Sequence, residues 1–119
     1  MEEVSKPASY RLLIDDLVVK LRHGQGQVGP GRARRGLWNQ NARPDLFPDQ
    51  HAINELLARL SPQDRETIAQ MLEHQVGVGM FEALKALEEL QIPPFEEGYE
   101  GSPYNDFIGR LSGDWDWPE

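Results

Sequence analysis

INELLARLSPQDRETIAQMLEHQVGVGMFEALKALEEL, residues 53–90, decides the architecture of this chain. Apolar residues recur at 53, 56, 57 and 60, then at 68, 71, 72 and 76, then at 80, 84, 87 and 90. That three-and-four spacing lays one apolar stripe along each of three successive helices. Such stripes must bury against one another, so the chain reads as all-α: a single domain over 1–119, built as a small bundle of five or six helices with long connecting loops at 24–48 and 91–103. Ser61-Pro62-Gln63-Asp64 is a strong start signal, with a hydroxyl cap, a proline at the first helical position and an acid in the first turn. The helices over 50–60 and 62–76 should therefore form an antiparallel hairpin, with helices 9–23 and 80–90 packed across it. Gly77 and Gly79 each cost about 1 kcal/mol inside a helix. An unbroken helix over 62–90 would span roughly 43 Å, too long for a domain of this size, so a break is expected at 77–79.

Working outward, Ser9 is read as the cap of a first helix ending at Gly24, with Tyr10, Leu13, Ile14, Leu17, Val18 and Leu21 as its buried stripe. Residues 24–36 hold five glycines and a proline, which predicts a mobile Gly/Arg loop without a helix. Leu37–Ala42 predicts one short helical turn anchored by Trp38, and Asp49 is read as the cap of the next helix. Past Pro93-Pro94 comes an acidic loop pinned by Phe95 and Tyr99. A second Ser-Pro start at Ser102 opens a short helix carrying Phe107, Ile108 and Leu111, and a Trp-rich tail follows at 114–119.

With 119 residues the chain can bury a core without disulfides, and it has no cysteine, which fits a cytoplasmic location. No apolar run approaches the roughly 18 residues of a membrane span, and the start Met-Glu-Glu-Val-Ser-Lys does not read as a signal peptide. Residues 1–48 carry eight Lys/Arg and five Asp/Glu, while residues 49–119 carry four and fifteen, which together give the net charge of −8. An acidic protein of this kind repels phosphate backbones and favours basic partners.

Motifs that would carry chemistry are sparse. Gly24-x-Gly26-x-x-Gly29 has dinucleotide-loop spacing, but it follows a helix, whereas that motif needs a strand before it. Leu56–Leu72 has the outline of a helix-turn-helix entry, yet the following helix offers one lysine and three glutamates where a recognition helix needs base-reading side chains. His51 and Glu55 share a helical face, two ligands short of a metal site. No cofactor or metal is implied, and no nucleophile stands in a motif, so the chain reads as binding rather than catalysing.

Two groups remain as binding candidates. Arg32, Arg34 and Arg35, with Arg43 near them, are candidates for contact with an anion or an acidic partner. Trp38, Tyr104, Asp106, Arg110, Trp115 and Trp117 are candidates for a partner or ligand surface. In an extended tail the two indoles, one residue apart, should point to opposite sides, and Asp106 and Arg110, four apart, either orient a polar ligand or pair with each other. Leu12 and Val19, off the main stripe of the first helix, leave a homodimer open.

Ile92-Pro93-Pro94-Phe95, Tyr99-Glu100-Gly101-Ser102-Pro103, Asp106-Phe107-x-x-Arg110-Leu111 and Trp115-x-Trp117-Pro118, with the Leu60-Ser61-Pro62-Gln63-Asp64-Arg65-Glu66 helix start, resemble a small uncharacterised bacterial family over about 50–119. That resemblance implies a helical, cytosolic protein and carries over no activity and no catalytic residue. The leading expectation is a small acidic protein-interaction or accessory module, of regulatory or immunity type, that meets a basic partner. A ligand binder or enzyme with a pocket near Trp38, Tyr104 and Trp115 is the alternative, and nucleic-acid binding through Arg32–Arg43 the second.

Overall fold

The computed structural model describes residues 8–118; the Met1–Lys6 start and Glu119 of the tail lie outside the described residues. The elements are α1 (Ala8–His23), a 3-10 turn at Gln25–Gln27, α2 (Val28–Arg35), α3 (Pro48–Arg59), α4 (Pro62–Glu89) and α5 (Pro103–Ser112). The fold is all-α. The only extended pairings among the described residues are the isolated bridges Arg43↔Leu46 and Gly98↔Gly101, and no described helix is long and apolar enough to cross a membrane. The chain divides into two compact units, a continuous one over His23–Val76 and a discontinuous one built from Met1–Arg22 and Gly77–Glu119.

The largest departure from expectation is α2. The glycine-rich stretch is helical because its signals are terminal ones. Pro30 sits in the first turn, where its missing N–H costs nothing. Gly36, at φ 79°, closes the helix: its N–H donates to the carbonyls of Arg32 and Ala33, and the Leu37 N–H reaches Arg32 O at 3.2 Å. That pattern is a Schellman cap. The indole of Trp38 lies against the helix at Gly29, with a ring atom 3.4 Å from where a β-carbon would stand, an ordinary van der Waals contact. Leu37–Ala42 is not helical. It is a bent loop with one turn, closed by Ala42 N–H to Asn39 O at 3.1 Å.

In the continuous unit, Ala33 of α2, Leu57 of α3 and Ala69 of α4 form the buried core, with Trp38, Ile53, Leu60, Ile68 and Leu72 packed around them. Small residues at the contact let helices approach closely, and a fully buried leucine such as Leu57 stabilises by about 1.5–3 kcal/mol. The Ser61 cap forms as read, accepting from Asp64 N–H at 3.0 Å. Asp49 is not the cap of α3. Phe47, in the left-handed region at φ 55°, holds that position, and Asp49 lies in the first turn, where its charge favours the helix dipole.

The expected break at 77–79 does not occur, and α4 is continuous over 28 residues. Each glycine costs the helix about 1 kcal/mol but removes no backbone hydrogen bond. The length limit assumed one compact body, whereas the boundary between the two units falls inside α4, at Val76 and Gly77. The helix ends in a second Schellman cap: Gln91, at φ 56°, donates to Glu88 O, and Ile92 N–H donates to Leu87 O at 2.9 Å.

The discontinuous unit is cored by Tyr10, Ile14 and Leu21 of α1, Leu84 of α4, and Pro103 and Phe107 of α5. Ser9 is not a cap, since α1 already includes Ala8. Leu13 leaves the expected stripe and stands 45% exposed. The Ser102 cap holds as expected, accepting from Tyr104 N–H, and Gly113 closes α5 in the left-handed conformation.

Candidate functional site

In the discontinuous unit the candidate residues build a scaffold. Asp106 is fully buried. Its Oδ2 accepts from the Tyr10 hydroxyl at 2.6 Å and from Tyr99 N–H at 2.8 Å, and its Oδ1 accepts from Glu100 N–H at 2.9 Å. Three donors stabilise one buried charge, the condition under which such a carboxylate is tolerated. Burial first, and then the bond to Asp106, raise the pKa of the Tyr10 phenol far above its ordinary value. Phe95, Tyr99 and Trp117 surround the Tyr10 ring at centroid distances of 5.6, 6.1 and 6.0 Å.

Asp106 and Arg110 do not pair. Arg110 Nε donates to Asp15 Oδ1 at 2.8 Å, and the indole N–H of Trp117 donates to Asp15 Oδ2 at 3.0 Å. The tail indoles do not point apart either. Trp115 and Trp117 meet edge to face at 5.0 Å, and the guanidinium groups of Arg11 and Arg110 lie 5.6 and 5.4 Å from the Trp117 ring. Tyr104 packs on Phe81 at 4.1 Å. Trp38 belongs to the continuous unit, so the three rings expected around one pocket are divided between the units. No described buried side-chain polar atom lacks a partner, and this network ties α1, the 99–100 segment and α5 together.

The continuous unit sorts its arginines. Arg34 forks onto Glu66 at 2.8 and 3.1 Å and reaches Glu73 at 3.6 Å. The bond from the Arg34 guanidinium holds the Glu66 carboxyl below its ordinary range. Arg43 meets Asp45 at 3.4 Å. Arg32 and Arg35 meet no carboxylate among the described residues. Arg32 lies over the Trp38 ring at 5.6 Å, and a guanidinium of Arg35 folds back beside Gly31. With Trp38, Asn39, Gln40 and Asn41 they line an open cleft of about 340 Å³.

Asn54, on α3, fixes the wall of that cleft. Its Oδ1 accepts from the backbone N–H groups of Trp38 and Asn39 at 2.6 and 3.0 Å, and its amide donates to Asn39 O at 2.7 Å. The Asn39 side chain donates to Gln50 and accepts from Asn41 N–H. Sequence reading missed Asn54, Gln40 and Asn41; the run Asn39-Gln40-Asn41 was their one visible signal. His51 meets Glu55 at 3.6 Å as a surface pair, and no cluster of three metal-ligating side chains exists among the described residues.

The protein is thus all-α, and among the described residues its buried polar side chains are paired while Arg32 and Arg35 meet no carboxylate at one cleft. The chain belongs to a family of unknown function (DUF6547), whose model matches residues 3–119, so the likeness read over the second half extends across nearly the whole chain. No curated protein and no solved structure matches it.

Proposed function

We propose that this protein is an accessory binding module that engages a basic protein partner through its discontinuous unit. One observation carries the reading. The discontinuous unit holds six Lys/Arg and fourteen Asp/Glu, and the continuous unit six and six, so the whole net charge of −8 belongs to one unit. Glu82, Glu89, Glu96, Glu97, Glu100 and Asp114 are exposed there, with no ion pair among the described residues. The exposed Leu90 and Ile92, at 73% and 42%, stand in the same stretch. Carboxylates on a rigid frame steer and orient a cationic surface, and neighbouring apolar groups supply the contact that charge alone does not. Asp106 supports this by tying down the backbone of the 99–100 segment.

The test is co-purification at low salt from the native cell, followed by the charge-reversal variant E89K/E96K/E97K. The expected result is a stoichiometric basic protein that salt releases and the variant loses. A partner retained by the variant, or no stoichiometric partner at all, overturns the proposal. A second reading, self-association, draws on Leu12 and Val19 of α1, which are 70% and 51% exposed. Sedimentation equilibrium decides it, since L12E/V19E should dissociate any dimer.

A further inference from the structure

We infer that the cleft between α2 and the 37–42 loop is a binding site for a small phosphate monoester. Of the four arginines over 32–43, Arg34 and Arg43 meet carboxylates among the described residues. Arg32 and Arg35, on the same helix and three positions apart, do not. The contact of Arg32 with the Trp38 ring holds the guanidinium in place while leaving its charge and its N–H groups free, since the ring face neutralises nothing. Arg35 lines the same cleft. Two uncompensated positive charges match a phosphate monoester, which carries about −1.5 to −2 at neutral pH, better than a singly charged carboxylate. Guanidinium groups also suit the oxygen geometry of phosphate, which they bind by paired N–H donors.

The cleft is built in advance. Asn54 and Asn39 fix the loop through backbone N–H and carbonyl groups, so ligand binding need not order the chain. Gln40 and Asn41 also line the cleft, and their amides would supply donors and acceptors for the organic part of the ligand. A volume of about 340 Å³ lies at the small end of ligand pockets and suits a metabolite-sized group. The site belongs to the electrically balanced unit and does not depend on the acidic surface discussed above.

The experiment is an NMR titration of the full chain, following the Trp38 indole N–H and the side-chain amides of Asn39, Gln40 and Asn41. The probes are inorganic phosphate and phenyl phosphate, with acetate, phenol and a short single-stranded oligonucleotide lacking terminal phosphates as comparisons. Saturable shifts confined to residues 32–41 are expected with both phosphates, the aryl ester binding more tightly than the free ion. R32Q and R35Q should each weaken binding by about tenfold, while R35K, which keeps the charge but loses the fork, falls between. R43Q, outside the cleft, should bind as the native protein does. Spectra of each variant outside residues 29–43 that superpose on the native spectrum show that the fold is kept. No saturable shift with either phosphate, or equal binding in R32Q/R35Q, overturns the site. Acetate binding as tightly as phosphate overturns the ligand class, and tighter binding of the oligonucleotide than of phenyl phosphate assigns the cleft to nucleic acid instead.

Discussion

Replacing Asp106 with asparagine tests whether the discontinuous unit hangs on one buried charge. Asparagine offers a single oxygen. Placed at the Oδ2 position, that oxygen keeps the Tyr10 hydroxyl and Tyr99 N–H, and the new amide group then faces Glu100 N–H, donor against donor. The flipped amide is worse, because it turns a donor toward the Tyr99 N–H. One bond to a charged acceptor is lost, worth about 1.5–3 kcal/mol. The two that remain lose charge assistance, at up to about 1 kcal/mol together, partly offset by the easier burial of a neutral amide. The expected destabilisation is about 2–4 kcal/mol, a large share of the roughly 5–15 kcal/mol that domains possess. Urea unfolding followed by tryptophan fluorescence measures it. A double-mutant cycle with Tyr10→Phe should give a coupling of about 1–3 kcal/mol. A loss under about 1 kcal/mol, or strict additivity in the cycle, would refute the claim that the carboxylate organises its three donors.

Tyr10→Phe should also change the alkaline limb of stability. The raised phenol pKa means that the folded state keeps a proton that the unfolded chain releases, so this contribution is intact below about pH 10 and declines as pH climbs further. Urea midpoints on either side of that value should fall less steeply in the variant, and identical slopes would contradict the burial of Tyr10. Gly79→Ala, at an open position inside α4, should stabilise by about 0.5–1 kcal/mol in thermal melts. Gly98→Ala should destabilise by about 1–3 kcal/mol, because its β-carbon would lie 2.6 Å from the Ser102 backbone and 2.7 Å from Asp106 Oδ2. Gln91→Gly should raise stability by about 0.5–1 kcal/mol by relieving the left-handed residue that closes α4.

The helical class, the Ser61 and Ser102 caps and most of the α1 stripe were legible because each rests on local periodicity or on one side chain meeting one N–H. The Gly/Arg segment was misread for a definite reason. A count of its glycines hides what position carries: Gly36 ends the helix in the left-handed conformation, and Pro30 sits where proline is harmless. The continuity of α4 escaped because its length was judged against one compact body. At the candidate sites, the four-residue spacing of Asp106 and Arg110 left a shared polar ligand or a mutual pair open. The partner each of them takes is on α1, some 95 residues away in sequence, and no local pattern encodes such a pairing. The loose arginines were visible, but which of the three would stay unpaired depended on Glu66 and Glu73 of another helix.

The discontinuity of one unit has a consequence for how the chain is made. His23–Val76 is uninterrupted and can close as soon as it leaves the ribosome. Helix α1 must wait: Tyr10 lacks its carboxylate until residue 106 is added, 96 positions later, and Arg22 lacks the Leu111 carbonyl until later still. At about 5–20 residues per second, Tyr10 waits roughly 5–20 s for its buried acceptor. During that interval the Tyr10 end of α1 is open to chaperones and to misassociation with neighbouring nascent chains.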